Sequence, residues 1–192
     1  MNRIIATVAV VFAAGLTVTP ASFAQSSQPN GRGKPVAGSA AGETLNQEDK
    51  TFVKQAAPGG LAEVELSKMA QKSLNADVKS FADRMILDHT AANEQLSSLA
   101  TGLGVEMPKT IDSEHQRMRE KLATLHGKSF DAQYMRDMVE DHNKAVKLFQ
   151  QEERTGHNPA LKEFAQKTLP TLEEHQKMAL DISHRLSRTA AK

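Results

Sequence analysis

The chain has 192 residues, enough for one ordinary domain, and no Cys, which excludes disulfides, thiolate metal sites, iron–sulfur clusters and a Cys nucleophile. Lys and Arg number 24 against 23 Asp and Glu. That balance argues against a nucleic-acid partner or an anionic membrane surface, both of which require an excess of positive charge.

Residues 1–24 read as a secretory signal peptide. Arg3 precedes an almost wholly apolar run over residues 4–18, and Ala21-Ser22-Phe23-Ala24 follows with small residues placed for cleavage after Ala24. The run is about 15 residues long, short of the ~20 needed to span a bilayer. No later segment is apolar enough to span one, so the mature chain is expected to be periplasmic, with no transmembrane segment. Residues 25–44 are rich in Ser, Gln, Pro, Asn, Gly and Ala, with almost no large apolar side chain. Such a segment cannot bury enough surface to offset its ordering entropy, and it is expected to be a disordered linker.

The folded domain is expected over residues 45–188, followed by a short tail at 189–192. Asn46 is placed as an N-cap for a first helix, which Pro58-Gly59-Gly60 is expected to break before a second piece over 61–73. Asn75 caps a second helix reaching about 101. Its apolar positions Val78, Phe81, Ala82, Met85, Ala92, Leu96 and Leu99 have a three-four spacing. A third helix is expected in two parts, 111–125 and 130–154, interrupted at His126-Gly127-Lys128. Gly156-His157-Asn158-Pro159 stops it and caps a fourth helix running to about 187, with Pro170 expected to kink its interior. Together these predict an all-α fold: an antiparallel four-helix bundle with broken first and third helices.

Each of the last three apolar stripes has a gap filled by a histidine: His89, His142 and His175. All three face the core by period, and their depths along antiparallel helices agree to within about one turn, ~5.4 Å. On the first helix, Glu65 is expected to reach the same layer, with Glu63 on a different face. Neutral imidazole is a common metal ligand, and burial favours the neutral form. A site from His89, His142, His175 and Glu65 would suit zinc, copper or iron. Met69, Met85, Met138 and Met178 stand near this layer in sequence. As thioether ligands they would favour Cu(I), and as core filler they would only pack. Each histidine could instead be a packing residue, its second nitrogen satisfied by Asp88, Asp141 or Glu174. His115, His126, His157 and His184 read as surface residues.

Several segments carry a family resemblance. These are Phe52…Ala56-Ala57-Pro58-Gly59-Gly60, Glu63-Val64-Glu65-Leu66, Val78-Lys79-Ser80-Phe81-Ala82…Met85…Asp88-His89, Phe130-Asp131…Tyr134…Met138-Val139…Asp141-His142 and Leu169-Pro170…Leu172…His175. In order and spacing they resemble the bacterial domain of unknown function 4142 over about residues 48–182. The resemblance implies an exported protein with a ferritin-like helical bundle in the cell envelope and leaves the activity open. Di-iron enzymes of ferritin-like fold use Glu-x-x-His on two helices, yet Ile86, Val139 and Leu172 stand three residues before the histidines here. No nucleophile elbow or phosphate-binding loop is present, so binding is expected rather than catalysis. The expected role is metal storage, sensing or protection from stress; the alternative is a structural or interaction bundle with no ligand.

Overall fold

A computed structural model describes residues 45–190, and the expected signal peptide, the whole of the expected linker and the end of the tail lie outside them. The described chain forms five helices: α1 (Gln47–Ala70), α2 (Ala76–Gly102), α3 (Ser113–Ala123), α4 (Gly127–Thr155) and α5 (Pro159–Ala190). There are no strands among the described residues, and none of these helices is long and apolar enough to cross a membrane.

Local chemistry sets the helix starts. The Asn46 side chain accepts the Asp49 N–H at 2.8 Å, and Asn75 accepts those of Asp77 and Val78. Asp112 caps α3 through Glu114 and His115, and Asn158 caps α5 with Pro159 in its first turn. Each cap satisfies amides that have no partner within the helix.

The long helices pack in a closed ring: α1 on α2, α2 on α5, α5 on α4 and α4 on α1. Their directions alternate, as cross-helix pairs show. The end of α1 meets the start of α4 at Ser67–Tyr134 (2.8 Å), while Arg185 near the end of α5 meets Asp77 at the start of α2 (3.0 Å). The short α3 lies against α1 and α4, tied by Arg119–Glu65 and by Lys144–Glu114.

The third expected helix is indeed two, with α4 starting at Gly127 in the left-handed region (φ 53°). The first is not broken: α1 runs through Pro58, Gly59 and Gly60 without interruption. Pro58 removes one backbone donor, but its ring is buried, and Gly60 lies against α2 where a Cβ would overlap the Asn93 amide. Close helix–helix packing thus outweighs the local cost of a proline and two glycines in a helix interior. α5 likewise continues through Pro170.

Two buried carboxylates close one end of the ring. Asp49 accepts the backbone N–H groups of His157 (2.9 Å) and Asn158 (3.1 Å), binding the α4–α5 turn to the start of α1. Burial, then the charge of Asp49, pushes the neighbouring Glu152 carboxyl from 4.5 up to about 7. Between those two values the folded state holds more protons than the unfolded chain, so this group's contribution to stability falls as pH rises from 4.5 to about 7. Glu152→Gln is expected to remove that loss, on the order of 1–3 kcal/mol. Urea midpoints of both proteins at pH 5 and pH 7.5 check it; equal pH slopes would refute it. Nearby, a Cβ on Gly156 would lie 2.6 Å from the Glu152 carbonyl oxygen, which cannot swing away. Gly156→Ala is therefore expected to cost about 1–3 kcal/mol, read from the same midpoints.

Candidate metal centre

The apolar interior is two clusters. One contains Leu66, Phe81, Met85, Tyr134, Met138 and Ala179; the other contains Phe52, Ala57, Leu96, Val146, Phe149 and Leu172. The boundary between them falls, on each long helix, at one polar residue. His89 lies between Met85 and Leu96, His142 between Met138 and Val146, His175 between Leu172 and Ala179, and Glu63 between Ala57 and Leu66. A polar layer therefore crosses the ring where the apolar stripes are interrupted.

The three imidazoles converge. Their ring centroids are 5.7 Å (His89–His142), 5.2 Å (His89–His175) and 5.5 Å (His142–His175) apart. One nitrogen from each lies within 4.8 Å of the others, and all three residues are buried. Three nitrogens around one ion at ~2.0–2.1 Å lie roughly 3–4 Å from each other, so about an ångström of ring movement would close the set.

Each ring is held by its other nitrogen. His89 Nδ1 lies 2.8 Å from Glu63 Oε2, His142 Nδ1 lies 2.9 Å from the Met138 carbonyl oxygen, and His175 Nε2 lies 2.9 Å from Asp88 Oδ2. Donation to these oxygens fixes the tautomers. It leaves His89 Nε2, His142 Nε2 and His175 Nδ1 as lone-pair acceptors, and all three are buried without a partner. A buried polar atom left unpaired costs about 1–3 kcal/mol, so three together require an explanation. An imidazole bonded to oxygen on one nitrogen and open on the other is the usual state of a metal-binding histidine.

The charges agree. Burial, then the neighbouring His89, holds His175 down at about 4, and burial lowers His142 despite the attraction of Glu63. Both rings are thus neutral at pH 7. Burial opposes ionisation of Glu63, but the pull of His89 and His142 and the His89 hydrogen bond outweigh it and hold the carboxyl at about 2. Two carboxylates, Glu63 and Asp88, therefore carry negative charge against the outer nitrogens of His89 and His175, a balance suited to a cation.

The expected carboxylate was a different one. Glu65 is not in the layer: its side chain is 44% exposed and bonded to Arg119 at 3.2 Å. Glu63 stands there instead, 2.8 Å from His89 and 3.4 Å from His142. The error follows from the supposed break in α1. In an unbroken helix the buried face of Phe52, Val53 and Ala57 continues in phase through Gly60, Glu63, Leu66, Ser67 and Ala70.

The acidic neighbours in sequence do not serve their own histidines. Asp88 bonds His175 across the helix interface and is itself held by Arg84, which also reaches Glu174. Asp141 bonds none of the three. Burial and then the charge of Glu63 push it up to about 7. The methionines Met85, Met135 and Met138 are packed in the cluster on one side of the layer, with Met69 and Met178 against it. A cavity of about 520 Å³ adjoins the other side, reaching Glu63, His89 and Asp141. Sequence reasoning missed His115 as a lining residue of this cavity; it stands beside Asp141, with its side chain only 12% exposed.

Residues 34–182 match the family model described as "Domain of unknown function (DUF4142)". The chain belongs to this family. Among the curated proteins, none matches it. Two kinds of solved structure resemble the DUF4142 chain in fold. A DUF305 fragment from Deinococcus radiodurans has a TM-score of 0.64 at 19% identity, covering 73% of this chain and 98% of its own. CopM in its Cu(II)-bound form has a TM-score of 0.62 at 17% identity, covering 71% and 96%. CopM in its Ag-bound form gives 0.60 at 16% identity, with the same coverage.

Proposed function

We propose that this DUF4142 protein is an exported, periplasmic bundle of ferritin-like type that binds one copper ion through His89, His142 and His175. Glu63, Asp88 and the Met138 carbonyl orient the three rings. The observation that carries this reading is the set of three buried, unpartnered imidazole nitrogens facing one another, each ring anchored on its far side by an oxygen.

Imidazole sets suit copper and zinc alike. The similarity in fold to CopM, whose structures hold Cu(II) and Ag, supports copper over zinc or iron. A buried site held by three helices suits storage or protection. The test is a titration of the purified mature protein with Cu(II) and, separately, Zn(II), with bound metal measured after gel filtration. One equivalent of copper per chain, with nitrogen hyperfine coupling from imidazole in its electron paramagnetic resonance spectrum, is the expected result. A protein that retains neither metal would overturn the reading.

A further inference from the structure

The cavity beside the histidine layer has one wall of different character from the rest. Its interior contains apolar side chains such as Leu96, Phe149, Phe164 and Leu172. Along the α3–α4 side, however, Asp112, His115 and Asp141 follow one another inward, and Glu63 and His89 lie at the inner end. Asp112 is at the surface, with its side chain 43% exposed, and its Oδ2 lies 2.9 Å from His115 Nδ1. His115 Nε2 faces Asp141 Oδ2 at 3.7 Å. That is too long for a hydrogen bond.

Asp141 is the informative member. It is only 6% exposed, and its Oδ2 is buried without any hydrogen-bond partner. A carboxylate oxygen and an imidazole nitrogen this far apart leave room for a cation between them. With bonds of ~2.0–2.2 Å to each, one ion spans separations up to about 4.2 Å. The nearby positive charge is already engaged, since Lys144 bonds Glu114 at 2.6 Å and Glu140 at 2.9 Å.

We propose that His115 and Asp141 form a transit site for the metal ion, through which it passes from Asp112 at the surface to the buried histidines. This rests on the metal-binding reading above. The ion exchanges water for Asp112, then for His115 Nε2 and Asp141 Oδ2, and then for the three imidazoles. No bond to the protein other than coordination is made or broken. Because a transit site stabilises a point on the path and not its end, losing it slows entry and exit by the same factor and leaves the final affinity unchanged.

The experiment is stopped-flow loading of the apo protein with Cu(II), and release of bound copper to a chromophoric chelator, for wild type, His115→Ala and the control His126→Ala. His126 is an exposed histidine beyond the other end of α3. His115→Ala is expected to slow loading and release together, each by about tenfold, with equilibrium affinity within twofold of wild type. His126→Ala is expected to match wild type. Unchanged rates in His115→Ala, equal slowing in both variants, or a loss confined to affinity would overturn the transit site while leaving the buried site in place. A wild-type protein that takes up no copper would overturn both.

Discussion

Replacing His142 with Ala is expected to abolish most of the thermal stabilisation that copper gives the protein. A ligand bound only to the native state stabilises it by mass action, about 4 kcal/mol when free metal exceeds Kd by a thousandfold. For a folded unit of this size that corresponds to a rise in Tm of roughly 8–16 °C. His142 is fully buried, and its free nitrogen is one of only three that face the centre. Without it, two imidazoles remain on α2 and α5, and the gain should fall to a few degrees. The apo variant should lose about 1–3 kcal/mol from the small cavity and the freed Met138 carbonyl. Melts of both proteins, with chelator and with copper, separate these effects. An equal gain in wild type and variant would place the ligands elsewhere, among exposed histidines such as His126 and His157.

Glu63→Gln is expected to weaken copper binding by about 10–100-fold, the usual effect of removing an outer partner of a metal-bound histidine. The Gln oxygen can still accept from His89 Nδ1, so the loss arises from the missing negative charge beside the ion. Glu65→Gln is the matched comparison two residues away. Its carboxylate is at the surface on Arg119, and such exposed pairs contribute ~0–1 kcal/mol. Its copper affinity should stay within twofold of wild type. Competition against a chelator of known affinity measures both. If Glu65→Gln weakened binding as much as Glu63→Gln, the assignment of Glu63 would be wrong.

Much of this was legible in the residues. The three-four stripes on α2, α4 and α5 carry the histidines in phase with Met85, Met138 and Leu172, and periodicity alone places them in the core. Their common depth is a matter of position along each helix, because His89, His142 and His175 stand at similar distances from the end of α2, the end of α4 and the start of α5. α2 and α4, joined through α3, run in the same direction and not in opposite ones. Other features depend on tertiary contacts that have no local signature. The continuity of α1 is one: Pro58-Gly59-Gly60 has the composition of a break, and only packing against Asn93 and the α2 surface keeps it helical. The pairing of Asp88 with His175, rather than with its neighbour His89, is another, since it depends on how α2 and α5 meet. His115 carried no signal because α3 is polar almost throughout, with Leu122 its one buried residue. The approach of His115 to Asp141 appears only once α3 is laid on α4.

The unbroken α1 also bears on how such a sequence can drift. Phe52 and Glu63 are eleven positions apart, about three helical turns, so the same face that docks the phenyl ring delivers the carboxylate to the imidazoles. At about 100° per residue, inserting or deleting one residue between them would swing Glu63 well out of the layer. Pro58-Gly59-Gly60 has the composition of a loop, yet it acts as a counted interval whose residue number, more than its composition, aims a charge into the core.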